Sequence, residues 1–466
     1  MKNGKENPMK APLVEAMLEY KKAPMTGFHI PGHNRGAGVY PDFCNLIGLD
    51  TLKIDTTDEF DNLGTLHPET GAIKEAQEIA SKTFNSKKTF FVTGGSTVAN
   101  LALAFAYTNP NMEVLIGRNC HRSVLTGLII SGAKVNWVIP KKHKDWAIFG
   151  NIEPCDIEEK LKHNRNIKLV WITNPTYEGV VSDVKKIAEI CKRYKASLIV
   201  DEAHGSLWNF SSKLPDSALN LGADAVVHSL HKTGGAMTQS SMLHITKNSS
   251  FEEEKITHAL KLLHTTSPSL LLLTSLDASR ANLSSTSGKK MLENAIENAE
   301  YFRKEAKKIK KLHIFNEENN DVTKIFIKMD NLTGLELEKL LEDDFKIEIE
   351  SASDEGILIL SNIGGKKEEF EYLLKALKEI SKKEHLHKSK KLKIMPLIDP
   401  EIVMNLREAY FAPKEYIDKK DAIGRISSEV VALCPPGISV LLPGELIKKE
   451  HLPYLFSYEK IEVIKE

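Results

Sequence analysis

Lys232 sits in the stretch HSLHKTGG, His228 to Gly235, apart from the solvated clusters that hold most of this chain's lysines. A lysine so placed can lose its proton by desolvation and become the nucleophilic amine that a Schiff base requires. A second stretch, VDEAHG from Val200 to Gly205, carries Asp201 at the end of the apolar run Leu198–Val200. A carboxylate leaving a buried strand reaches into a cleft, where it can pair with a cationic nitrogen. The third, TGGSTVAN from Thr93 to Asn100, sets two glycines before Ser96 and Thr97 at the opening of an apolar helical pattern. Glycines permit a tight turn, and hydroxyls and free N–H groups at a helix N-terminus converge on an anion such as a phosphate. Taken singly, each stretch has an ordinary explanation: an exposed loop lysine, a salt-bridged carboxylate, a helix cap. His204 has no second histidine or cysteine at ligand spacing, so no metal site is expected.

The elements that must position these groups are short apolar runs alternating with helical patterns between about residues 70 and 240. The runs are Thr89–Val92, Val114–Ile116, Val135–Ile139, Leu169–Ile172, Leu198–Val200 and Ala225–Val227. Apolar throughout, they suit strands covered on both faces, which predicts a mostly parallel sheet wrapped by helices. Ligands in such α/β sheets collect at the carboxyl ends of the strands, and all three stretches fall there. Residues 286–385 read as a smaller α+β unit: a long helix, a strand at Lys324–Met329, a helix at Gly334–Leu341, strands at Ile347–Glu350 and Ile357–Leu360, and a final helix. The basic run Lys382–Lys393 reads as a hinge. The expected division is an arm over 1–64, a large domain over 65–285, the small domain over 286–385, and a linker with a C-terminal segment over 386–466. The arm lacks the apolar periodicity to form a core of its own, so it is expected to dock elsewhere, with a second subunit as one candidate.

An anion cup, a carboxylate for a ring nitrogen and an amine are together the needs of pyridoxal 5′-phosphate. With that combination the chain resembles the fold-type I pyridoxal-phosphate enzymes, and within them the short form of the ornithine/lysine/arginine decarboxylase family. The resemblance extends to HIPGHNRG (29–36), LHPETGAIKEAQ (66–77), RNCHRS (118–123) and CPPGISVLLPGE (434–445). It implies a fold-type I large domain with a mostly parallel sheet, a smaller α+β domain and a C-terminal segment. It also implies that Ser96, Thr97 and Ser229 bind the phosphate with His231 beside them. His121 would stack on the cofactor ring, Ala203 would lie against its other face, and Asp201 would hold the ring nitrogen protonated. Lys232 would be the Schiff-base lysine, and with Asp201, His121 and His204 it makes up the catalytic candidates. Cys434 departs from the tyrosine expected before PPG, and the family's N-terminal regulatory wing is not seen.

The reaction this implies is decarboxylation of a basic amino acid, arginine or lysine first and ornithine next, to a polyamine-type amine and carbon dioxide. An aminotransferase or aldolase on the same fold, or an inactive regulatory relative, is the alternative. Aminotransferases commonly grip the substrate carboxylate with a small-domain arginine, whereas this chain has none from residue 304 through 406. Arg407 follows directly and could reach in. A basic substrate needs an acidic contact for its distal charge, and the candidates are Asp55, Asp58, Glu59 and Asp61 in DTTDEFDN, Asp58 and Glu59 foremost, with Glu429 and Glu445 near PPG.

The bulk numbers fit such an enzyme. The 63 basic and 63 acidic residues leave no net charge, against the basic surface that nucleic acid demands. Five scattered cysteines without a CxxC pair suit a reducing cytoplasm. No apolar stretch approaches a membrane span or a signal sequence. A homodimer, or a pair of dimers, is the expected assembly.

Overall fold

A computed structural model describes residues 7–23, 26–58, 62–143, 145–146, 148–383, 398–433, 438–455 and 458–466. The large sheet contains β1 (Ser86–Val92), β2 (Glu113–Gly117), β3 (Lys134–Val138), β4 (Ile167–Thr173), β5 (Ser197–Asp201), β6 (Ala225–His228) and β7 (Ser241–Thr246). Their order is β1-β7-β6-β5-β4-β2-β3. Pairing is parallel from β3 through β6, and β7 runs antiparallel to both its neighbours.

Both faces of this sheet are buried, which explains the unbroken apolar runs. Val170, Ile172, Leu198, Val200 and Val226 face one core layer, while Leu169, Trp171, Ile199, Ala225 and Val227 face the other. The helices Val184–Tyr194 and Gly71–Thr83 close the first layer. Gly95–Tyr107 and Arg122–Ser131 close the second. β7 escapes the apolar-run reading, because its Ser241, His244 and Thr246 break the pattern. Those groups are buried but bonded: Ser241 Oγ donates to the His228 carbonyl at 2.7 Å, and His244 Nδ1 lies 2.8 Å from Thr89 Oγ1.

The smaller sheet contains β8 (Leu312–Ile314), β9 (Lys324–Met329), β10 (Ser351–Ala352) and β11 (Ile357–Leu360), all antiparallel in the order β10-β11-β9-β8. Helices Thr286–Ala306, Gly334–Phe345 and Lys367–Lys382 cover it. The strand expected at Ile347–Glu350 is not one: the chain meets the sheet edge only at Ser351–Ala352, with Glu350 N–H donating to the Leu358 carbonyl at 3.1 Å. The C-terminal segment pairs β12 (Lys414–Asp418) with β15 (Lys460–Ile464) and β13 (Val431–Leu433) with β14 (Ile438–Leu441) around a separate small core. Most of the basic run Lys382–Lys393, from residue 384 on, lies outside the described residues.

The reading of the N-terminal arm needs correction. Leu13, Ala16, Met17 and Tyr20 recur at i, i+3, i+4 and i+7 of the Pro12–Lys22 helix and bury in this chain's own large core. A buried ion pair latches the helix there. Asp277 accepts from Leu13 N–H at 3.0 Å and pairs with Arg280 at 2.6 Å, and Arg280 also donates to the Pro8 carbonyl. Exposed apolar side chains concentrate in the later described part of the arm, with Phe28, Ile30, Tyr40 and Leu46 well exposed.

Candidate active site

The loops after β1, β2, β4, β5 and β6 line one cavity of about 660 Å³, within the range of small-molecule sites. After β1 the chain turns through Gly94 and Gly95. A Cβ on Gly94 would lie 2.2 Å from Val98, and Gly95 holds φ +71°, so both positions require glycine. The turn delivers Ser96 to the start of the Gly95–Tyr107 helix. Its Oγ lies 2.6 Å from Ser229 Oγ and 2.8 Å from Ser241 Oγ, so hydroxyls from three separate segments meet beside a helix N-terminus. Thr97 and His231 also line the cavity, and the His231 Nδ1 lies 2.9 Å from the Ser240 carbonyl.

Asp201 ends β5 and is buried. Its Oδ2 accepts from Asn100 Nδ2 at 2.9 Å and its Oδ1 from Ala203 N–H at 3.2 Å. The Asn100 amide reaches on to Ser123 Oγ at 3.0 Å. Ser123 N–H in turn donates to His121 Nδ1 at 3.2 Å, which leaves the proton of the neutral ring on Nε2. Burial holds the His121 pKa down, with the Asp201 charge opposing.

Lys232 lies in the short helix Leu230–Thr233 after β6. Its Nζ is 2.9 Å from His204 Nε2, and the other ring nitrogen of His204 is 2.9 Å from Lys324 Nζ, contributed by β9 of the smaller sheet. Desolvation lowers the Lys232 pKa, against the charge of Asp201. His204 is pushed well below the ordinary histidine value by burial and then by the two lysines. The Tyr177 ring meets His204 edge-on at 5.2 Å.

Ser96, Thr97, His121, Asp201, Ala203, His204, Ser229, His231 and Lys232 thus share one cavity. Of the acidic candidates for the substrate's distal charge, Asp55, Asp58, Glu429 and Glu445 do not line this cavity. Asp58 spends its Oδ2 on Leu66 N–H at 3.0 Å. Glu429 accepts from Glu462 N–H at 2.9 Å within the C-terminal unit. Glu445 forms a buried two-pronged pair with Arg118, at 2.5 and 2.8 Å, and binds Leu442 N–H as well. Glu59, Asp61 and Cys434 lie outside the described residues. Arg407 does not enter the cavity either, since its guanidinium is bonded to the Ile129 and Ile130 carbonyls. Sequence reasoning missed Asn100, Ser241, Lys324 and Glu178; the last is a buried carboxylate lining the cavity, with its pKa raised by desolvation. Asn119 Oδ1 and Thr173 Oγ1, on cavity-lining residues, are buried without a hydrogen-bond partner among the described residues. Such open acceptors and donors fit a site built for a polar ligand.

The family model described as Orn/Lys/Arg decarboxylase, major domain, matches residues 11–331, and its C-terminal domain counterpart matches 389–463. The chain belongs to the Orn/Lys/Arg decarboxylase family. This decarboxylase is 34% identical over 459 residues to the arginine decarboxylase of Bacillus subtilis, covering 96% of this chain and 93% of that one. It is 24% identical to the constitutive lysine decarboxylase of Escherichia coli, over 94% of this chain and 76% of that protein. Among solved structures, the Francisella novicida lysine decarboxylase superposes with a TM-score of 0.87 at 20% identity, covering 98% of this chain and 81% of that one. The fold-type I architecture expected for the decarboxylase is therefore the one it has. Among its described residues, no helix is long and apolar enough to cross a membrane, and no cluster of three or more potential metal ligands occurs.

Proposed function

We propose that this decarboxylase uses pyridoxal 5′-phosphate to convert arginine to agmatine and carbon dioxide, with lysine and then ornithine as weaker substrates, and that it works as a homodimer or a pair of dimers. The observation that carries the reading is the meeting of a hydroxyl cup, a buried carboxylate and a desolvated lysine in one cavity. Ser96, Thr97 and Ser229 would hold the phosphate, with His231 beside them and Ser241 behind Ser96. His121 and Ala203 would flank the ring, and Lys232 would hold the aldehyde carbon. The bound cofactor supplies an electron sink for the pair left on Cα as carbon dioxide departs.

The chain's own groups prepare that step. Asp201, fixed by Asn100 and by Ala203 N–H, is an acceptor held ready for a protonated ring nitrogen, which keeps the sink electron-poor. No arginine lines the cavity among the described residues. A substrate carboxylate there is left without a guanidinium grip, a setting that favours its loss over its retention; this supports decarboxylation over transamination. Of the carboxylates lining the cavity, Asp201 is committed, which leaves Glu178 as this chain's own offer to a substrate's distal cation. The order of substrates follows the relatives: the arginine decarboxylase is more similar to this chain than the lysine decarboxylase.

The test is a product assay on protein supplied with the cofactor, with agmatine, cadaverine and putrescine read separately. Agmatine is expected to form fastest. Absence of all three amines, in protein whose violet absorbance shows bound cofactor, would overturn the reading.

A further inference from the structure

Lys232 Nζ, the two ring nitrogens of His204 and Lys324 Nζ form a line with two contacts of 2.9 Å. Lys324 and His204 are buried, and Lys232 is half-buried. Donor and acceptor accounting restricts what this line can hold. An ammonium has three donors and no acceptor, whereas a neutral imidazole has one N–H and one lone pair. If His204 accepts from one lysine, its opposite nitrogen carries the proton and must donate to the other lysine, which then needs a free lone pair. An imidazolium would need both lysines neutral. With both contacts made, at most one of the two lysines is charged.

We infer that Lys324 is a positioning residue for Lys232, the far end of a relay through His204 that shares one proton between the two amines, so that Lys232 is the free amine whenever the proton rests on Lys324. The balance is simple. An N–H of Lys232 passes its proton to His204 Nε2, the proton on Nδ1 passes to Lys324, and the imidazole ends as the other neutral tautomer. No proton enters or leaves the buried line, and no oxidation state changes. Desolvation, the first cause for each, holds Lys324 at about 8 and Lys232 below the ordinary lysine value. Asp321, Glu178 and Glu350 face Lys324 as charges, and Asp201 and Glu350 face Lys232. His204 also feels His231 and His121. Asp321 does not lock Lys324 in an ion pair, because its carboxylate is taken by Trp208 Nε1 at 2.9 Å and by Thr323.

The inference rests on the role proposed for Lys232, and its test has a readout other than turnover. In full-length protein freed of cofactor, trace labelling with acetic anhydride across pH, read by mass on the Lys232 peptide, gives the titration of that amine. Lys324→Met removes the proton's destination and the like charge. The Lys232 titration is then expected to rise by one pH unit or more, seen as a ~10-fold or greater drop in labelling rate near pH 8. Lys324→Gln, expected to do the same, serves if the Met variant fails to fold. Lys324→Arg, permanently charged, is expected to move the titration down. A Lys232 titration that stays at its wild-type position in the Met or Gln variant, or that moves the same way in the Arg variant, overturns the relay. Borohydride reduction of cofactor-loaded wild-type protein separates the two claims. No pyridoxyl mass on Lys232 overturns the proposed function itself, whereas its presence with an unmoved titration overturns the relay alone.

Discussion

Asp201 owes its place to two donors, the Asn100 amide and Ala203 N–H, which hold both its oxygens while leaving the carboxylate facing the cavity. Asp201→Asn keeps the shape and removes the charge. Turnover is expected to fall by about 10²–10³-fold or more, the usual effect of removing one electrostatic stabiliser at a reacting centre, with cofactor still bound and the melting temperature little changed. A purely structural Asp201 would give the opposite pattern, reduced stability with near-normal turnover per folded molecule, so kcat and Tm measured together decide it. Ser96, Asp201 and Lys232 are legible in the sequence because each closely follows an apolar strand, where this kind of sheet opens its cleft. Lys324 is not. It begins the alternating run KIFIKM, which reads as a plain strand, and only the packing of the smaller sheet beside the loops of the larger one brings it to His204. Asn100 is hidden differently: one helical turn after Ser96, it looks like an ordinary polar residue until the helix packs against β5. Glu445 reads as a substrate contact because it lies near PPG, and sequence spacing gives no sign that Arg118 claims it.

Between elements, the strands covered on both faces are the most legible, and those stabilised by buried polar bonds the least, as β7 illustrates. The Pro12–Lys22 helix is easily overlooked because its apolar stripe is a single run of four residues, with Leu18 exposed on the opposite side. One contact between elements carries a pH dependence. His264, just after the Glu253–Leu263 helix, meets His67 at 2.9 Å, and its pKa is lowered to about 4 by burial and then by His67. The unfolded chain would protonate His264 near its ordinary value of about 6.5. Between that value and about 4 the unfolded state therefore binds a proton that the folded state does not, and stability falls as the pH drops through this window. The contribution is full above the window and amounts to up to ~3 kcal/mol for this group. Urea midpoints measured from pH 7 to 4 are expected to decline, and to decline less in His264→Gln. Equal slopes in the two proteins would show that His264 is not responsible.

At the scale of the whole molecule, the C-terminal segment is fastened to the large domain through Arg118 and Glu445, both nearly inaccessible to solvent. Arg118 follows β2, donates to the Ser439 carbonyl at 3.0 Å and lies over the Trp137 ring. Removing one partner leaves a buried charge uncompensated, so Glu445→Ala is expected to cost about 3–5 kcal/mol in unfolding experiments, without a selective rise in KM for the amino acid. A raised KM at unchanged stability would return Glu445 to the substrate site. What a single chain leaves open is the later arm. Its first helix is satisfied within the chain, yet Phe28 is 97% exposed, Leu46 79% and Tyr40 71%, with Ile30, Phe43 and Leu49 beside them in sequence. Apolar exposure concentrated in one segment marks an interaction surface. Two-fold pairing of identical chains is the commonest way to close such a surface, and that assembly would set the arm against a second large domain. The double variant Phe28→Glu/Leu46→Glu adds charge to that face without touching the core or the cavity. Sedimentation is expected to show a dimer or larger for the wild-type chain and a monomer for the variant, with turnover disappearing along with assembly because the arm no longer closes a neighbouring site. A wild-type chain that sediments as a fully active monomer at assay concentration would overturn the assignment, and a monomeric variant with full turnover would show that each chain completes its own site.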